Sequence, residues 1–293
     1  MRLDHKANFF LIDKPENFTS QDVCTIIKKK YGYSKVGHSG TLDPLATGLL
    51  ILATNSYTKL LSYLIEMDKT YDFTVRFGYT SDSGDLGTDL IEVDPSYKVN
   101  EKDLNVVLDK FIGDLEQVPP MYSAIKIQGK RLYKYARNNE IIDLPSRNIK
   151  IHNLKVNKII NNSKVQFSVT CSKGTYIRSL ARDIGEMLGV GGLVEGLRRT
   201  SIDTISVDEA IKLSKLPDYE EFELGSYGHN KLINMTNIDI DITNIDTIKN
   251  GGFLQSSMFL HQEECYLVTI ENRVVALYER YNDKYYKPRN VLI

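Results

Sequence analysis

The 293-residue sequence lacks any long apolar run, and this absence excludes a helical membrane protein. Its longest apolar run, residues 49–53, is far shorter than the roughly 20 residues that a membrane-spanning helix requires. The first six residues also lack the apolar stretch of a secretory signal. We therefore expect a cytoplasmic protein with no membrane partner.

Paired cysteines and nucleotide-binding motifs are also missing. Cys24, Cys171 and Cys265 lie far apart and form no C-x-x-C pair, which argues against a disulfide framework and a structural zinc site. The sequence contains neither a G-x-x-x-x-G-K-[ST] phosphate loop nor a G-x-G-x-x-G fingerprint. We therefore expect the protein's own side chains to do its chemistry, without a cofactor or a metal.

The chain has no excess of positive charge, since its formal net charge is −1. A surface that binds nucleic acid must then be local, because phosphate binding needs a cluster of cations. Residues 126–137 form such a cluster, without an acidic residue and interleaved with Tyr133 and Tyr135; its cations are Lys126, Lys130, Arg131, Lys134 and Arg137. This composition suits phosphate contact and base stacking, and a solvated amphipathic helix is the alternative.

The spacing of apolar residues predicts a mixture of strands and helices. Residues 8–12, 71–77 and 165–171 have the apolar runs or alternation of strands. A helix is expected after Thr19, where Asp22 completes a capping box, and it should end at Gly32. Further helices are expected over residues 104–111 and from Thr175 to Gly189.

The composition changes beyond about residue 210, where an acidic stretch precedes a segment rich in Asn, Asp and Ile. Two short strand-like runs follow, at residues 266–270 and 274–278. We predict a division into a large domain, residues 1–225, and a small β-rich module, residues 226–293.

The segment from Gly37 to Gly48 is rich in turn residues and leads into an apolar strand, which predicts an exposed loop fixed at one end. Within it, Pro44 keeps Asp43 in an extended conformation, so the carboxylate can project from the loop. With an ordinary pKa of about 3.9, this aspartate would be ionised at neutral pH and available as a nucleophile. On spacing alone, an Asp-Pro turn without catalytic function is the alternative.

This segment, GHSGTLDPLATGLL, closely resembles the active-site motif of the TruB family of tRNA pseudouridine synthases, whose catalytic aspartate matches Asp43. The resemblance continues in order along roughly residues 9 to 210. It includes LIDKP at 11–15, KTY at 69–71, MYSAIKIQGKRLYKYAR at 121–137, CSKGTYIRSLARDIGE at 171–186 and LRR at 197–199.

The resemblance implies an α+β fold, in which helices flank a mixed, mainly antiparallel sheet with the active site in a cleft across it. It also implies a reaction, the isomerisation of uridine 55 in the T-loop of tRNA to pseudouridine, through a covalent aspartate adduct after base flipping. The partner would be the T-arm of tRNA, and we expect a monomer. An RNA-folding protein without turnover and a synthase acting on another RNA are the alternatives.

The family's motifs also imply roles for individual residues. Arg178 would pair with Asp43, and Tyr71 would stack on the target base and is the proposed acceptor of its C5 proton. An anionic partner for Arg178 is also expected if Thr175 caps the helix, because the helix dipole disfavours a cation in the first turn; a surface arginine is the alternative. The remaining matches are His38, which would wedge against the flipped nucleotides, Tyr176 and Leu197, which would line the uracil pocket, and Lys14, which would support the loop.

Two segments depart from the family's pattern. The family usually has an aspartate three residues before the last glycine of the loop at residues 80–87, where this chain has Gly84, with Asp85 one position later. The C-terminal module resembles the small PUA-type RNA-binding module only loosely, at residues 249–252 and 274–278.

Overall fold

A computed structural model describes residues 7–293, apart from Ala124, Gln128, Asn139, Ile141, Asp143, residues 228–231, Asn234, residues 260–262 and Asn272. The helices are α1 (Ser20–Tyr31), α2 (Leu61–Glu66), α3 (Glu101–Asp109), α4 (Leu132–Arg137), α5 (Ile177–Met187), α6 (Tyr219–Leu224) and α7 (Ile245–Lys249). The strands before residue 160 are β1 (Phe9–Lys14), β2 (Val36–His38), β3 (Thr47–Thr54), β4 (Lys69–Phe77), β5 (Tyr79–Thr80), β6 (Ile91–Glu92), β7 (Gly113–Gln117), β8 (Lys126–Ile127), β9 (Lys130–Arg131) and β10 (Arg147–Ile159). The later strands are β11 (Lys164–Cys171), β12 (Gly192–Ile202), β13 (Ile205–Ser206), β14 (Ile211–Lys212), β15 (Thr236–Asp239), β16 (Leu254–Gln255), β17 (Cys265–Ile270), β18 (Arg273–Arg280) and β19 (Tyr285–Val291).

A large mixed sheet organises the first two thirds of the chain. Its strand order is β14-β1-β3-β12-β4-β11-β10-β7, with β13 paired to β12 and β2 paired to β3. The β1–β14 and β3–β12 pairs are parallel and the others are antiparallel. The predicted fold class, a mixed and mainly antiparallel sheet with flanking helices, is therefore confirmed.

Local sequence signals placed the main elements correctly. The side chain of Thr19 accepts a hydrogen bond from the Asp22 N–H, and the Asp22 carboxylate accepts one from the Thr19 N–H, so the predicted capping box starts α1. Gly32 follows the helix with φ of 73°, a left-handed conformation that glycine adopts without steric cost. The alternating residues of the predicted strands lie in β4 and β11, and those two strands are neighbours in the sheet.

Strand β1 shows how the sheet serves two separate cores. Phe10 and Ile12 face α1, and they pack there with Val23 and Ile27. Phe9 and Leu11 point to the opposite face and pack with residues of the C-terminal strands β17 and β18. This alternation follows from the two-residue period of a strand, and it buries both faces of β1.

The C-terminal residues form a five-stranded sheet of order β15-β17-β18-β19-β16, and the predicted β-rich module is confirmed. One face of this sheet contributes Leu267 and Leu277 to the core shared with β1. The other face carries its own cluster, which includes Tyr266 and Tyr278. The division at residue 225 and the PUA-type identity of the module stay predictions. In the described part of the chain, no helix is long and apolar enough to cross a membrane.

The packing of α6 yields a stability prediction. Phe222 is fully buried, and its ring stacks between Phe10 and Tyr31 at centroid distances of 4.0 and 4.1 Å. We expect Phe222→Ala to lower the free energy of unfolding by about 3–5 kcal/mol in urea titrations, because the cavity left between two rings cannot collapse fully. Leu224→Ala on the same helix is the control; its side chain is 87% exposed, so the change should be within about 0.5 kcal/mol. Equal effects of the two substitutions would contradict the packing.

Candidate active site

A cleft with a volume of about 400 Å³ opens across the large sheet. Its walls come from six places in the chain: the loop that follows β2, the end of α2, the start of β4, the segment between β7 and β8, the residues around the start of α5 and the middle of β12. The lining includes Ser39, Gly40, Thr41, Leu42, Asp43, Ile65, Lys69, Tyr71, Ser123, Ile125, Tyr176, Ile177, Arg178, Leu197 and Arg199. A cleft of this volume is large enough for a small ligand or a single base.

The loop that carries Asp43 is more buried than its composition predicts. We expected an exposed loop fixed at one end, but β2 and β3 hold it at both ends and pair with each other. Ser39 and Leu42 are buried, and the Ser20 hydroxyl accepts a hydrogen bond from the Leu42 N–H at 2.8 Å. The loop is buried because it is short, joins two paired strands and packs against α1.

Gly48 is required at the end of this loop. Its φ is 103°, and a Cβ placed there would lie 2.2 Å from the carbonyl oxygen of Arg199. Any side chain would therefore separate β3 from β12, the strand that carries Leu197 and Arg199.

Asp43 and Arg178 form a two-point ion pair at the floor of the cleft. Nε of Arg178 lies 2.9 Å from one carboxylate oxygen of Asp43, and an Nη nitrogen donates to the other oxygen at 3.1 Å. The Arg178 side chain is 5% exposed, whereas that of Asp43 is 34% exposed. The carboxylate therefore has a bound side and a side open to the cleft.

Arg178 is itself held from two other segments. Its guanidinium donates to the carbonyl oxygens of Ser83 and Tyr122, each at 2.8 Å. It lies in the first turn of α5, as expected, but the predicted cap is wrong: Tyr176 occupies the N-cap position, and the Thr175 hydroxyl donates to the carbonyl of Ser172 instead. The helix dipole disfavours a cation in the first turn, and the carboxylate of Asp43 offsets this effect.

A second carboxylate also faces Arg178. One oxygen of Asp85 lies 3.6 Å from an Nη nitrogen of Arg178, and the Asp85 side chain is 12% exposed. The same carboxylate accepts hydrogen bonds from the Ser83 hydroxyl and the Gly87 N–H. The loop at residues 80–87 therefore places a carboxylate against the arginine from position 85, although Gly84 stands where the family pattern has aspartate.

Burial changes the acidity of Asp43. Desolvation raises its pKa above the ordinary value, Arg178 opposes this rise, and the nearby Asp85 adds to it. With the ordinary pKa of a free aspartate, about 3.9, the carboxylate would be almost fully ionised at neutral pH. The raised pKa lowers the fraction of Asp43 that is ionised at a given pH, and Arg178 is the main group that favours the charged form.

Tyr71 lies on β4 at the wall of the cleft, facing the loop that carries Asp43. Desolvation raises the pKa of its phenol above the ordinary value of about 10, and Arg199 opposes this rise. At neutral pH the side chain is therefore an uncharged phenol with a flat ring beside the cleft.

Tyr176 and Leu197 also line the cleft, as the family pattern implies. The backbone of Tyr176 is held by the Gln117 side chain, which accepts from its N–H at 2.8 Å and donates to its carbonyl at 3.1 Å. Leu197 comes from β12, opposite Phe73 of β4. Apolar and aromatic surfaces thus enclose the open side of Asp43.

Arg199 is a lining residue that reasoning from the sequence did not single out. It is 1% exposed, its Nε donates to the carbonyl of Leu49 at 2.7 Å, and an Nη nitrogen donates to the carbonyl of Gly40 at 3.3 Å. It therefore joins β12 to both sides of the loop that carries Asp43. Arg199 is the last residue of the LRR motif, and it lies two positions after Leu197 on β12, so the two-residue period of a strand directs both side chains to the cleft.

Lys14 is fully buried beneath the same loop. Its ammonium group donates to the carbonyl oxygens of Pro15 at 2.9 Å, Phe18 at 2.7 Å and Pro44 at 3.3 Å. Burial lowers its pKa to about 8, while the nearby Asp43 opposes this shift. The contact with Pro44 ties Lys14 to the residue that follows the aspartate.

His38 lies at the end of β2, one residue before the cleft lining begins at Ser39. Its Nδ1 accepts a hydrogen bond from the Gly40 N–H at 3.3 Å. Desolvation lowers the pKa of the imidazole, with a further contribution from Arg199, so the ring is neutral at physiological pH. The structure thus brings His38 near the rim of the cleft rather than among its walls.

The predicted basic segment forms a hairpin of β8 and β9 followed by α4, rather than one amphipathic helix. It adjoins the cleft through Ile125, whose carbonyl accepts from the Leu132 N–H. Lys130 pairs with Glu140 at 2.8 Å, and Tyr135 is buried, which removes it as a stacking residue. The side chains of the other four predicted contacts, Lys126, Arg131, Lys134 and Arg137, lie outside the described residues, as does that of Tyr133.

The sequence matches two domain profiles of one protein family and several named relatives. The profile described as "TruB family pseudouridylate synthase (N terminal domain)" matches residues 28–177, and "tRNA pseudouridylate synthase B C-terminal domain" matches residues 178–233. A relative named tRNA pseudouridine synthase B, from Caldanaerobacter subterraneus subsp. tengcongensis, is 35% identical over 92% of this chain and 90% of its own length. Another of that name, from Francisella tularensis subsp. novicida, is 42% identical over 78% of this chain and 74% of its own length.

Solved structures share the fold at lower identity. A chain from a Cbf5-Nop10-Gar1 complex superposes with a TM-score of 0.73 at 24% identity, covering 98% of this chain and 85% of that one. A chain from an H/ACA RNP bound to a substrate RNA containing 2′-deoxyuridine gives a TM-score of 0.72 at 22% identity, covering 98% of this chain and 85% of that one. These chains share the fold of this protein, and the matched profiles and relatives define its class as pseudouridine synthase. Within that class, the matched profiles and the relatives show that this chain belongs to the TruB family of pseudouridylate synthases.

The burial of Lys14 yields a pH-dependent prediction. Lysine ordinarily has a pKa of 10.5, and that of folded Lys14 is about 8. Between these values the unfolded chain holds a proton that the folded chain has released, so raising the pH stabilises the fold. We expect the free energy of unfolding of the wild type, relative to Lys14→Met, to rise by on the order of 1–3 kcal/mol from about pH 8 to pH 10.5.

Urea titrations at several pH values would measure this difference. Lys28→Met, at an exposed position of α1, is the control and should show no such trend. A difference between wild type and Lys14→Met that stays constant with pH would contradict the lowered pKa.

Proposed function

We propose that the protein converts uridine 55 in the T-loop of tRNA to pseudouridine, with Asp43 as the nucleophile. The observation that carries this proposal is the two-point Asp43–Arg178 pair at the floor of a cleft with aromatic and apolar walls. The carboxylate keeps one side open to the cleft, and the guanidinium on its other side favours its charged form. Membership of the TruB family, and relatives named tRNA pseudouridine synthase B, support the choice of reaction and RNA.

The reaction needs few groups because it is an isomerisation. The bond from N1 of uracil to C1′ of the ribose breaks, the base rotates, and a bond from C5 to C1′ forms; C5 loses its proton and N1 gains one. Atoms and electrons balance without an oxidant or a cofactor. Covalent addition of the Asp43 carboxylate, at C6 of the base or at C1′ of the sugar, divides the change into easier steps. Both routes start from the same ionised carboxylate.

Tyr71 is proposed to stack on the target uracil. Its raised pKa keeps the phenol protonated, which makes it a weak general base before the substrate binds. Its position on the cleft wall suits the face of a flat base. Tyr176 and Leu197 would complete an apolar pocket around the uracil and limit the access of water to the adduct.

Entry of the uridine requires that it be flipped from its loop, at a cost of a few kcal/mol. His38, at the rim of the cleft and uncharged, would occupy the space that the flipped nucleotide leaves. The segment with Lys126, Lys130, Arg131, Lys134 and Arg137 would contact phosphates beside the cleft, since it adjoins the lining residue Ile125. Lys14 and Arg199 would hold the loop that presents Asp43.

We also propose that residues 1–225 carry catalysis, that residues 226–293 form a PUA-like RNA-binding module, and that the protein acts as a monomer. In the described residues, no group of three or more His, Cys, Asp or Glu side chains is arranged to hold a metal ion.

The first test replaces the nucleophile. We expect Asp43→Asn to abolish the release of tritium from C5-labelled uridine in tRNA, because an amide cannot add to the base or the sugar. Binding of tRNA should stay within a few fold, since the phosphate contacts are untouched. Asp82→Asn, at an exposed position of a neighbouring loop, is the control and should keep normal turnover. Substantial turnover by Asp43→Asn would rule out the assignment, and a wild type that binds tRNA without turnover would favour an RNA-folding protein.

The second test concerns the RNA. A T-stem-loop fragment should be modified at the uridine equivalent to position 55, because recognition of an unpaired, displaceable base is the usual mode for RNA. A straightened duplex with the same uridine should react poorly, since the base must be unpaired and unstacked. Tritium release from both RNAs, measured at two salt concentrations, would report the difference. Equal turnover of the two RNAs, or a requirement for the anticodon arm, would mean that the enzyme acts on another RNA.

A further inference from the structure

An aromatic cluster lies exposed at one corner of the C-terminal sheet. Phe253, Tyr281 and Tyr285 are 48%, 54% and 39% exposed. The ring centroid of Phe253 lies 5.1 Å from that of Tyr281 and 6.4 Å from that of Tyr285. Two neighbouring rings of the same sheet, Phe259 and Tyr286, are buried and stacked at 4.1 Å. The module thus has an aromatic core of its own, and it presents three further rings to solvent, as binding surfaces do.

The backbone beneath these rings is held by hydrogen bonds. Tyr281 and Tyr285 flank the turn between β18 and β19, where the Tyr281 N–H donates to the Tyr285 carbonyl at 3.1 Å. The Asn282 side chain accepts from the Tyr285 N–H at 3.0 Å, which fixes the turn. Phe253 precedes β16, and the carbonyl of Gly252 accepts from the Tyr278 hydroxyl at 2.8 Å. The rings are therefore placed before any ligand arrives, which lowers the entropic cost of binding.

Cations surround the cluster although the whole chain has a net charge of −1. Residues 279–289 contain four cations and two carboxylates. Lys287 and Arg289 share Glu279, at 3.1 and 3.7 Å, so one carboxylate serves two cations. The ammonium of Lys287 also lies 5.6 Å from the ring centroid of Tyr281. This arrangement combines flat apolar faces with a local excess of positive charge.

Strand β19 leads from this cluster toward helix α2. It runs for roughly 13 Å from Tyr285 past Lys287 to Arg289, and both of these cations contact Glu279 of β18. The guanidinium of Arg289 lies 4.9 Å from the ring centroid of Tyr63 on α2. Two residues further along α2, Ile65 lines the cleft that contains Asp43. The end of β19 that lies far from the cluster thus packs against the helix that contributes Ile65 to the cleft.

We propose that Phe253, Tyr281 and Tyr285 form a stacking site for unpaired nucleotides of the RNA whose uridine enters the cleft. Exposed rings bind bases through their faces, which are free only in single-stranded segments, and nearby cations bind the backbone phosphates. The inference rests on the proposed function for the identity of the RNA. Its occupant lies outside the hairpin that carries the target uridine, because the stacking site lies at the far end of β19 from the cleft.

The experiment measures binding of a single-stranded probe to the intact protein. A fluorescent oligoadenylate of about eight nucleotides is suitable, since it has no uridine for the cleft and matches the length that such sites bind. We expect Phe253→Ala, Tyr281→Ala and Tyr285→Ala each to raise the Kd by about fivefold or more. Lys287→Gln should reduce the dependence of the Kd on salt concentration, because it removes one phosphate contact.

Matched substitutions separate stacking from general effects. Tyr281→Phe keeps the ring and should bind like the wild type, whereas Tyr281→Leu keeps apolar bulk without a flat face and should bind like Tyr281→Ala. Val106→Ala, at a site on α3 that is 62% exposed, should have no effect. Equal binding by wild type and the three alanine variants would overturn the proposal, as would full binding by Tyr281→Leu. Self-association of the wild type that the alanine variants lose would overturn it too, by identifying a contact between two copies of the chain.

A second measurement separates this inference from the proposed function. Tritium release from a T-stem-loop without unpaired flanks should be the same in the wild type and the alanine variants, because that RNA does not reach the stacking site. With a full-length tRNA that has its unpaired 3′ end, the variants should show a KM raised by about fivefold or more and an unchanged kcat. Failure of the wild type on both RNAs would reject the proposed function, whereas equal KM values on full-length tRNA would reject the stacking site alone.

Discussion

The ion pair between Asp43 and Arg178 is the interaction on which the rest of the site depends. Burial in the cleft raises the pKa of Asp43, and Arg178 is the group that most opposes this rise. The arginine can do so only while its guanidinium is held in place, and the carbonyls of Ser83 and Tyr122 hold it from two different loops. A single charge on α5 therefore joins three separate loops in one arrangement.

Buried cations also hold the loop that carries Asp43 in place. A loop has carbonyl oxygens that no neighbouring strand or helix satisfies, and buried ones need hydrogen-bond donors. Lys14 supplies donors to Pro15, Phe18 and Pro44, and Arg199 supplies them to Gly40 and Leu49. Burial disfavours the charge of Lys14, as its pKa of about 8 shows. The result is a rigid loop whose carboxylate is positioned before the substrate arrives.

The large sheet connects the cleft to the C-terminal residues because some of its strands, such as β1, have two buried faces. Phe10 and Ile12 of β1 pack against α1, and Phe9 and Leu11 pack toward the C-terminal sheet. Helix α2 lies where these parts meet, with Ile65 at the cleft and Tyr63 under Arg289 of β19. The C-terminal sheet therefore packs against the helix that lines the cleft, and the rings at its outer corner are exposed.

The amino-acid sequence by itself determined the main elements and the family to which the chain belongs. The capping box at Thr19, the alternation of β4 and the motif around Asp43 depend on residues close in the chain, where spacing and local chemistry are sufficient. Only the tertiary structure decided which distant residues meet. Asp85 and Arg199 reach the site through loop and strand packing, and Tyr135 is buried rather than available for stacking. The cluster of Phe253, Tyr281 and Tyr285 comes from the residue before β16, the residue after β18 and the first residue of β19. These contacts depend on the register and order of strands far apart in sequence, which no local pattern of residues encodes.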